Sequence, residues 1–327
     1  MEKTLKTQEV MGWKIAASLF LIAAGMGSYL TGVLFCLIDP GGFKELSRMA
    51  VILAAPFVLV GSLLLLCDMG QKRKFYQTYL RPGSSWMSRG AIFVTLFFVF
   101  NLTHIFTGIW PSTALMSAPA MYWVVGIVAS VTAILSLAYT GFLLGAVKAI
   151  PFWGGSFLPW LFLLSGLSSG AMAVSVSFSI SKLGGGGSLV ESLGGLTLFN
   201  CFVIILEAIV LGAYLGTMKT RAAESVEIVT RGKLAGAFWV GVAGAALILP
   251  FIIEVVKAFF LLSLGSLLAL AVVGGIIGLI GGYMLRHVVV YGGKRVSLNV
   301  QGRLVAPPPE KYESKVIESA YQTFQKA

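Results

Sequence analysis

Charge is scarce in this chain. Of 327 residues only 11% are Asp, Glu, Lys or Arg, while 57% are hydrophobic. A soluble domain carries about a quarter charged residues. A water-soluble fold with so few could not cover its apolar surface, so lipid is the expected solvent. Cysteine is also scarce. Cys36, Cys67 and Cys201 stand alone in apolar runs with no Cys-x-x-Cys pair, which excludes an iron–sulfur or zinc motif built from this chain. Histidine occurs twice, at His104 and His287. The two fall near opposite ends of their hydrophobic runs, on the order of 20 Å apart in depth by helix rise. They cannot clamp one haem, and a two-haem cytochrome b needs four histidines, so no haem is expected. The Gly184 to Gly187 stretch has no strand before it and no Lys-Ser/Thr after it, which makes it a loop and not a phosphate cradle.

Long apolar runs are abundant. Eight have the length of a membrane helix: 15–38, 49–68, 89–110, 121–147, 157–180, 196–218, 234–253 and 259–285. The first is longer than a signal-peptide core. Breakers separate them, among them Pro40-Gly41-Gly42, Pro82-Gly83, Pro111 and Pro151. The expected fold class is all-α integral membrane. Small-residue patches at Ala23-Ala24-Gly25-Met26-Gly27-Ser28 and at Ser165-Gly166-Leu167-Ser168-Ser169-Gly170-Ala171 open runs one and five. Such patches suit close helix contact. They fit either a parallel duplication or ordinary packing. The sequence therefore divides into 1–147, 148–290 and a polar tail, 291–327.

Eight spans put both termini on one side. Under that topology the termini side holds 20 of the 24 Lys and Arg residues and the opposite side holds 4. Basic loops stay cytoplasmic, so both termini are predicted cytoplasmic. The net charge of +11 follows largely from this topology and needs no nucleic acid.

Ionisable residues inside lipid are costly and mark candidate sites. Glu207 lies near the middle of run six, either as a proton relay or as a neutral group bonded to a neighbouring helix. Asn101 and His104, three apart, share a face of run three. They serve a proton path or pack as interhelical donors. Near the termini side, Asp68 closes run two, followed by Lys72, Arg73, Lys74, Tyr76, Tyr79 and Arg81. Tyr139 lies in run four, and Ser18 opens run one. An acid, bases and a phenol at one membrane boundary suit a quinone headgroup, which needs hydrogen bonds to its oxygens and an apolar slot for its tail. Positive-inside charge with an aromatic belt accounts for the same residues.

The run Cys67-Asp68-Met69-Gly70-Gln71-Lys72-Arg73-Lys74-Phe75 resembles a motif after the second helix of the NrfD family, the membrane subunits of polysulfide reductase and related respiratory complexes. Arg81-Pro82-Gly83-Ser84-Ser85-Trp86-Met87-Ser88-Arg89-Gly90 is similar to that family's signature entering helix three. Tyr139-Thr140-Gly141-Phe142, Ala149-Ile150-Pro151-Phe152-Trp153, Gly166 to Ala171 and Gly282 to Gly293 resemble it further, in order along the sequence. The resemblance implies eight transmembrane helices in two four-helix bundles, without haem, in a prokaryotic inner membrane. It implies a quinone, menaquinone among the candidates, bound beside a ferredoxin-like [4Fe–4S] subunit that serves a larger, molybdopterin-type catalytic subunit. Carried over, Asp68 matches the acid of the quinone pocket, Lys74 an arginine position, Tyr139 the helix-four tyrosine, and Ser18 the place of a helix-one histidine. Arg81 joins them as a binding residue. Gln71-Lys72 replaces the motif's Arg-Pro, and the helix-one histidine is absent. Polysulfide-reductase-type complexes hold the catalytic arm outside the cell, whereas the charge count puts the matching face inside. Two rival functions remain on sequence grounds: a secondary transporter, and a structural tether without a quinone site.

Overall fold

A computed structural model describes residues 12–68, 76, 78–80, 83, 85–109, 119–182, 189–260 and 263–294. All eight apolar runs form helices long and apolar enough to cross a membrane. They are α1 (Trp13–Ile38), α2 (Lys44–Asp68), α3 (Trp86–Ile109), α4 (Pro119–Gly145), α5 (Leu158–Ser181), α6 (Leu189–Arg221), a seventh span ending in α8 (Leu249–Phe259), and α9 (Leu264–Gly292). A short helix α7 (Ala223–Thr230) joins α6 to the seventh span. The described residues contain no strand. This is the expected all-α membrane class.

Several boundaries differ from the sequence reading: α2 starts at Lys44 and not at 49, α6 at Leu189 and not at 196, and α9 at Leu264 and not at 259. Two of the C-terminal ends differ for an instructive reason. The apolar pattern ends run seven at 253, yet α8 continues through Glu254 and Lys257 to Phe259. The pattern ends run eight at 285, yet α9 carries Arg286 and His287 on to Gly292. In both places a charge at the end of an apolar run mimics a boundary. Each charge is buried instead, and a polar partner holds it. Lys257 and Arg286 therefore leave the loop census, one from each side, and the sense of the charge bias is unchanged.

The first part of the seventh span, Ala237–Ile248, is a π-helix. Pro250 follows it and has no N–H to offer the carbonyl one turn back. The wider π turn is a recognised way to absorb such a break, and it is rare at this length. The small residues Ala245 and Ala246 in this stretch let α9 approach closely. A side chain at Gly281 would reach within 2.2 Å of the Ala246 nitrogen.

Lipid tails are as apolar as leucine, so contact between small residues and interhelical hydrogen bonds must hold the helices together. The tightest contact joins α1 and α5. A Cβ on Gly27 would lie 1.9 Å from the Gly166 oxygen, and one on Gly170 would lie 2.1 Å from the Gly27 carbon. The Ser28 hydroxyl bridges the same crossing, 2.8 Å from the Ala24 oxygen and 3.1 Å from the Gly170 oxygen. The two small-residue patches read from the sequence thus meet each other. Around this axis α1 packs on α2 and α4, and α3 packs on α2 and α4. On the other side α5 packs on α6 and α9, and α8 packs on the same two.

Alternation of the helices places Trp13, Asp68, Trp86, Gly145, Leu158, Arg221 and Gly292 at one end of the molecule, here called the terminal face. Specific bonds tie this face together. Trp153 Nε1 donates to the Val289 oxygen at 2.8 Å, and the Tyr214 hydroxyl donates to the Phe152 oxygen at 2.7 Å. At the opposite face Lys182 pairs with Glu45, linking the end of α5 to the start of α2.

Candidate functional site

A cavity of about 270 Å³ opens near the terminal face, among α1 to α4. Leu19, Leu65, Met87, Thr95, Tyr139 and Leu143 help form its wall. The wall is almost wholly apolar, which suits an apolar ligand. Its polar points are few. The Tyr79 hydroxyl lies 2.9 Å from Thr95 Oγ1, which itself donates to the Ala91 oxygen at 2.8 Å. Tyr139 is buried, and its hydroxyl has no hydrogen-bond partner among the described residues. A phenol that finds no partner when buried is poorly satisfied by the protein alone.

Gly90 sets the position of that phenol. A Cβ at Gly90 would fall 1.9 Å from Tyr139 Cε2 and 2.2 Å from its Cζ, so α3 touches the ring through bare backbone. Gly90→Ala is expected to push the ring toward the cavity. An overpacked core site costs about 1–3 kcal/mol, so the variant should still accumulate in the membrane but melt at a lower temperature than wild type. Thermal unfolding of the detergent-purified protein, followed by size-exclusion chromatography, checks this. Beside Gly90, Arg89 lies over the Trp86 ring at 4.7 Å, and Trp86 stacks on Phe142 at 5.2 Å.

The other residues named from the sequence divide. Asp68 ends α2, three residues past Leu65 and two past Leu66 of the cavity wall. At 1.5 Å rise per residue it lies about 3 Å beyond Leu66 along the axis, on the rim and not in the wall. Its half-buried carboxylate makes no hydrogen bond or ion pair with any described residue. Ser18 is fully buried but faces away from the cavity. Its hydroxyl bonds the Ile15 oxygen of its own helix at 2.8 Å, and its backbone oxygen abuts Gly61 of α2. Lys74 and Arg81 lie outside the described residues.

Glu207, Asn101 and His104 are all buried, but the structure does not bring them together. No substantial contact joins α3 to α6. Glu207 Oε2 accepts from the Ser168 hydroxyl at 2.6 Å, and Ser168 in turn lies 3.3 Å from the Ser165 oxygen. Arg286 Nη1 donates to Ser165 Oγ at 3.0 Å and to the Gly282 oxygen at 2.8 Å. An acid on α6 and a guanidinium on α9 thus meet through two serines one turn apart on α5. The guanidinium also sits between the rings of Phe20 and Phe162, at 5.7 and 5.8 Å. Asn101 Nδ2 donates to the Val51 oxygen at 3.1 Å, and His104 Nδ1 pairs with the Tyr29 hydroxyl at 2.6 Å.

A further polar group escapes the sequence reading. On α8, Lys257 donates to Glu254 Oε2 at 2.6 Å, and Asn200 of α6 donates to Glu254 Oε1 at 3.1 Å. The available signal is an acid and a base three residues apart at the end of an apolar run, a spacing that puts both on one helix face. Among the described residues no cluster of His, Cys, Asp and Glu could hold a metal ion.

These features define a class: a multi-pass, all-α membrane protein with a phenol in the wall of an apolar cavity near one face. The protein belongs to the NrfD family. The family model for polysulphide reductase, NrfD, matches residues 3–297. The sequence is 28% identical over 307 residues to a polysulfide reductase chain of Wolinella succinogenes, covering 87% of this protein and 94% of that one. It is 30% identical over 316 residues to protein NrfD of Escherichia coli, covering 87% and 95%. A selenate reductase subunit of Mesobacillus selenatarsenatis is 25% identical over 309 residues, covering 81% and 71%. Membership makes this protein a membrane anchor of the kind found in oxidoreductase complexes.

Proposed function

We propose that this protein is the quinone-reactive subunit of a respiratory oxidoreductase in a prokaryotic inner membrane. It exchanges electrons and protons between a quinone, menaquinone by preference, and [4Fe–4S] clusters on a ferredoxin-like partner. The partner serves a larger catalytic subunit of the molybdopterin type. The single observation that carries this reading is the apolar cavity whose wall holds the Tyr139 hydroxyl, with the Asp68 carboxylate at its rim, neither of them bonded to a described residue. Relatives named for polysulfide and selenate reduction support placing the terminal chemistry on another polypeptide.

In this mechanism the Tyr139 hydroxyl hydrogen-bonds one quinone oxygen and fixes the ring. The apolar wall takes the tail and keeps water out. Asp68, at the boundary, moves protons between the site and the aqueous phase. Lys74 and Arg81 are kept as binding residues on their place in the sequence alone. Ser18 has no share in this, because its hydroxyl is committed to its own helix. Asp68→Asn is expected to lower quinol-dependent turnover about 100-fold, within the range that general acid–base groups contribute. The complex should assemble normally. Wild-type turnover in an assembled Asp68→Asn complex would remove Asp68 from the mechanism.

The contact pattern supports treating α1–α4 and α5–α9 as two four-helix halves, the first holding the quinone and the second the buried ion relay. Within that second half Glu207 is the group able to take up and release a proton, with the Ser168 hydroxyl bonded to it and the Arg286 guanidinium held nearby on Ser165. His104 and Asn101 belong to the first half, so a route that joins all three residues must cross the α1–α5 interface. Glu207→Gln should lower the number of protons taken up per electron in sealed vesicles while leaving electron transfer intact. A proton-to-electron ratio equal to wild type is the result that ends the relay. The charge bias supports cytoplasmic termini, with the quinone cavity on the same side.

A further inference from the structure

A second cavity, about 230 Å³, lies at the other end of the first half, among α1, α2, α4 and His104 of α3. Its wall includes Val51, His104, Tyr122, Gly126, Ser130 and Val131. His104 is 4% exposed, and its Nε2 has no hydrogen-bond partner among the described residues. The partner of Nδ1 decides what Nε2 carries. The Tyr29 hydroxyl has one proton and two acceptors in reach, His104 Nδ1 at 2.6 Å and the Gly126 oxygen at 3.4 Å. Two arrangements satisfy that pair: Tyr29 donates to Nδ1 and Nε2 carries the ring proton, or Nδ1–H donates to Tyr29, Tyr29 donates on to the Gly126 oxygen, and Nε2 presents its lone pair. In both, Nε2 is a buried polar atom without a partner among the described residues, which is costly.

We propose that this cavity is a second binding site for a lipid-soluble quinone carrier, whose ring oxygen hydrogen-bonds His104 Nε2, accepting its proton as a quinone carbonyl or donating to its lone pair as a quinol hydroxyl. Three features select that ligand. The wall is largely apolar and carries no charged side chain, its polar groups being His104, Tyr122, Trp123, Cys36 and two serines, so the ligand is neutral. Aromatic rings stand edge to face about the imidazole, with Tyr122 at 4.4 Å and Tyr29 at 5.6 Å from the His104 ring, which suits a flat headgroup. Ile127 and Val131 of the wall are among the exposed apolar residues of α4, so the opening faces lipid and a tail can remain in the bilayer. An engineered cavity of about 150 Å³ holds benzene, so this one has room for a substituted ring. The site adds to the one at Tyr139 and does not depend on it. It binds the carrier at the opposite face and performs no electron transfer of its own.

The test uses the protein purified with its native partner subunits in lipid nanodiscs. The probe is a photoreactive azido-naphthoquinone with one isoprenoid unit, and labelled peptides are mapped by mass spectrometry. Two clusters are expected, one around Met87 to Thr95 and Tyr139, the other within Tyr122 to Ile134. His104→Phe should reduce the second cluster about tenfold, the worth of one hydrogen bond, and leave the first unchanged. Val131→Trp blocks the opening without touching the His104–Tyr29 pair. It should act the same way, and it decides the matter if His104→Phe does not accumulate. Labelling confined to the Tyr139 cluster in the wild-type complex overturns the proposal. So does a second cluster that disappears under excess phosphatidylglycerol, which would assign the cavity to an acyl chain. A second cluster without the first would uphold this site and sink the assignment at Tyr139.

Discussion

Gly170→Val abolishes accumulation of the protein in the membrane. The β-carbon would sit 2.1 Å from both the Gly27 carbon and the Ser28 nitrogen. Both are backbone atoms, so no rotamer change relieves the clash and α1 must separate from α5. Separation also breaks the Ser28 bond to the Gly170 oxygen. Between helices in lipid, such contacts are the main source of association. The loss should therefore exceed the roughly 1–3 kcal/mol of an ordinary overpacked site. Gly212→Val is the control. Gly212 is exposed on α6, a β-carbon added there would meet nothing within 4 Å, and that variant should accumulate as wild type does. A fluorescent C-terminal fusion, read by size-exclusion chromatography after mild detergent extraction, compares them directly. Equal monodisperse yields from both variants would show that the α1–α5 crossing is not what holds the molecule together.

Under the proposed function, Tyr139→Phe leaves folding intact and removes quinone chemistry. The ring is held by Gly90 of α3, and phenylalanine keeps every one of those contacts. Only the hydroxyl goes, and no described residue depends on it. Structural loss should thus be negligible. If that hydroxyl orients the quinone and supports proton transfer, turnover should fall on the order of 100-fold or more. The fall should appear in kcat as well as in the KM for quinol, because the group acts on the reacting oxygen. A complex that assembles with unchanged turnover leaves the buried phenol of the cavity without a role, and the quinone reading would have to move elsewhere.

The spans are legible in the sequence because membrane helices announce themselves by length and apolarity alone. The depth of Tyr139 follows from the same runs. Direction around a helix is harder. Ser18 sits at the expected level but is absent from the cavity wall and bonds its own helix, since α1 is buried on most of its faces and offers little amphipathic pattern to read. Pairings between distant helices are not legible at all. Arg286 finds Ser165 across 121 positions of sequence, and Tyr29 finds His104 across 75. Nothing local in either member forecasts the other. Glu254 and Lys257 are legible in principle, but a pair of opposite charges at the end of an apolar run reads as loop until packing shows that both are covered.

That last pair has a consequence for biosynthesis. Glu254 and Lys257 leave the ribosome three residues apart and neutralise each other within one turn. The seventh span can therefore partition from the translocon into lipid as a self-compensated segment. Arg286 has no such companion on its own helix. A lone arginine opposes insertion by roughly 2.5–3.5 kcal/mol at a helix centre and by less toward an end, where Arg286 lies. Its acceptors at Ser165, and the acid beyond them at Glu207, must already be in the membrane when the last span arrives, so synthesis order and electrostatic order coincide.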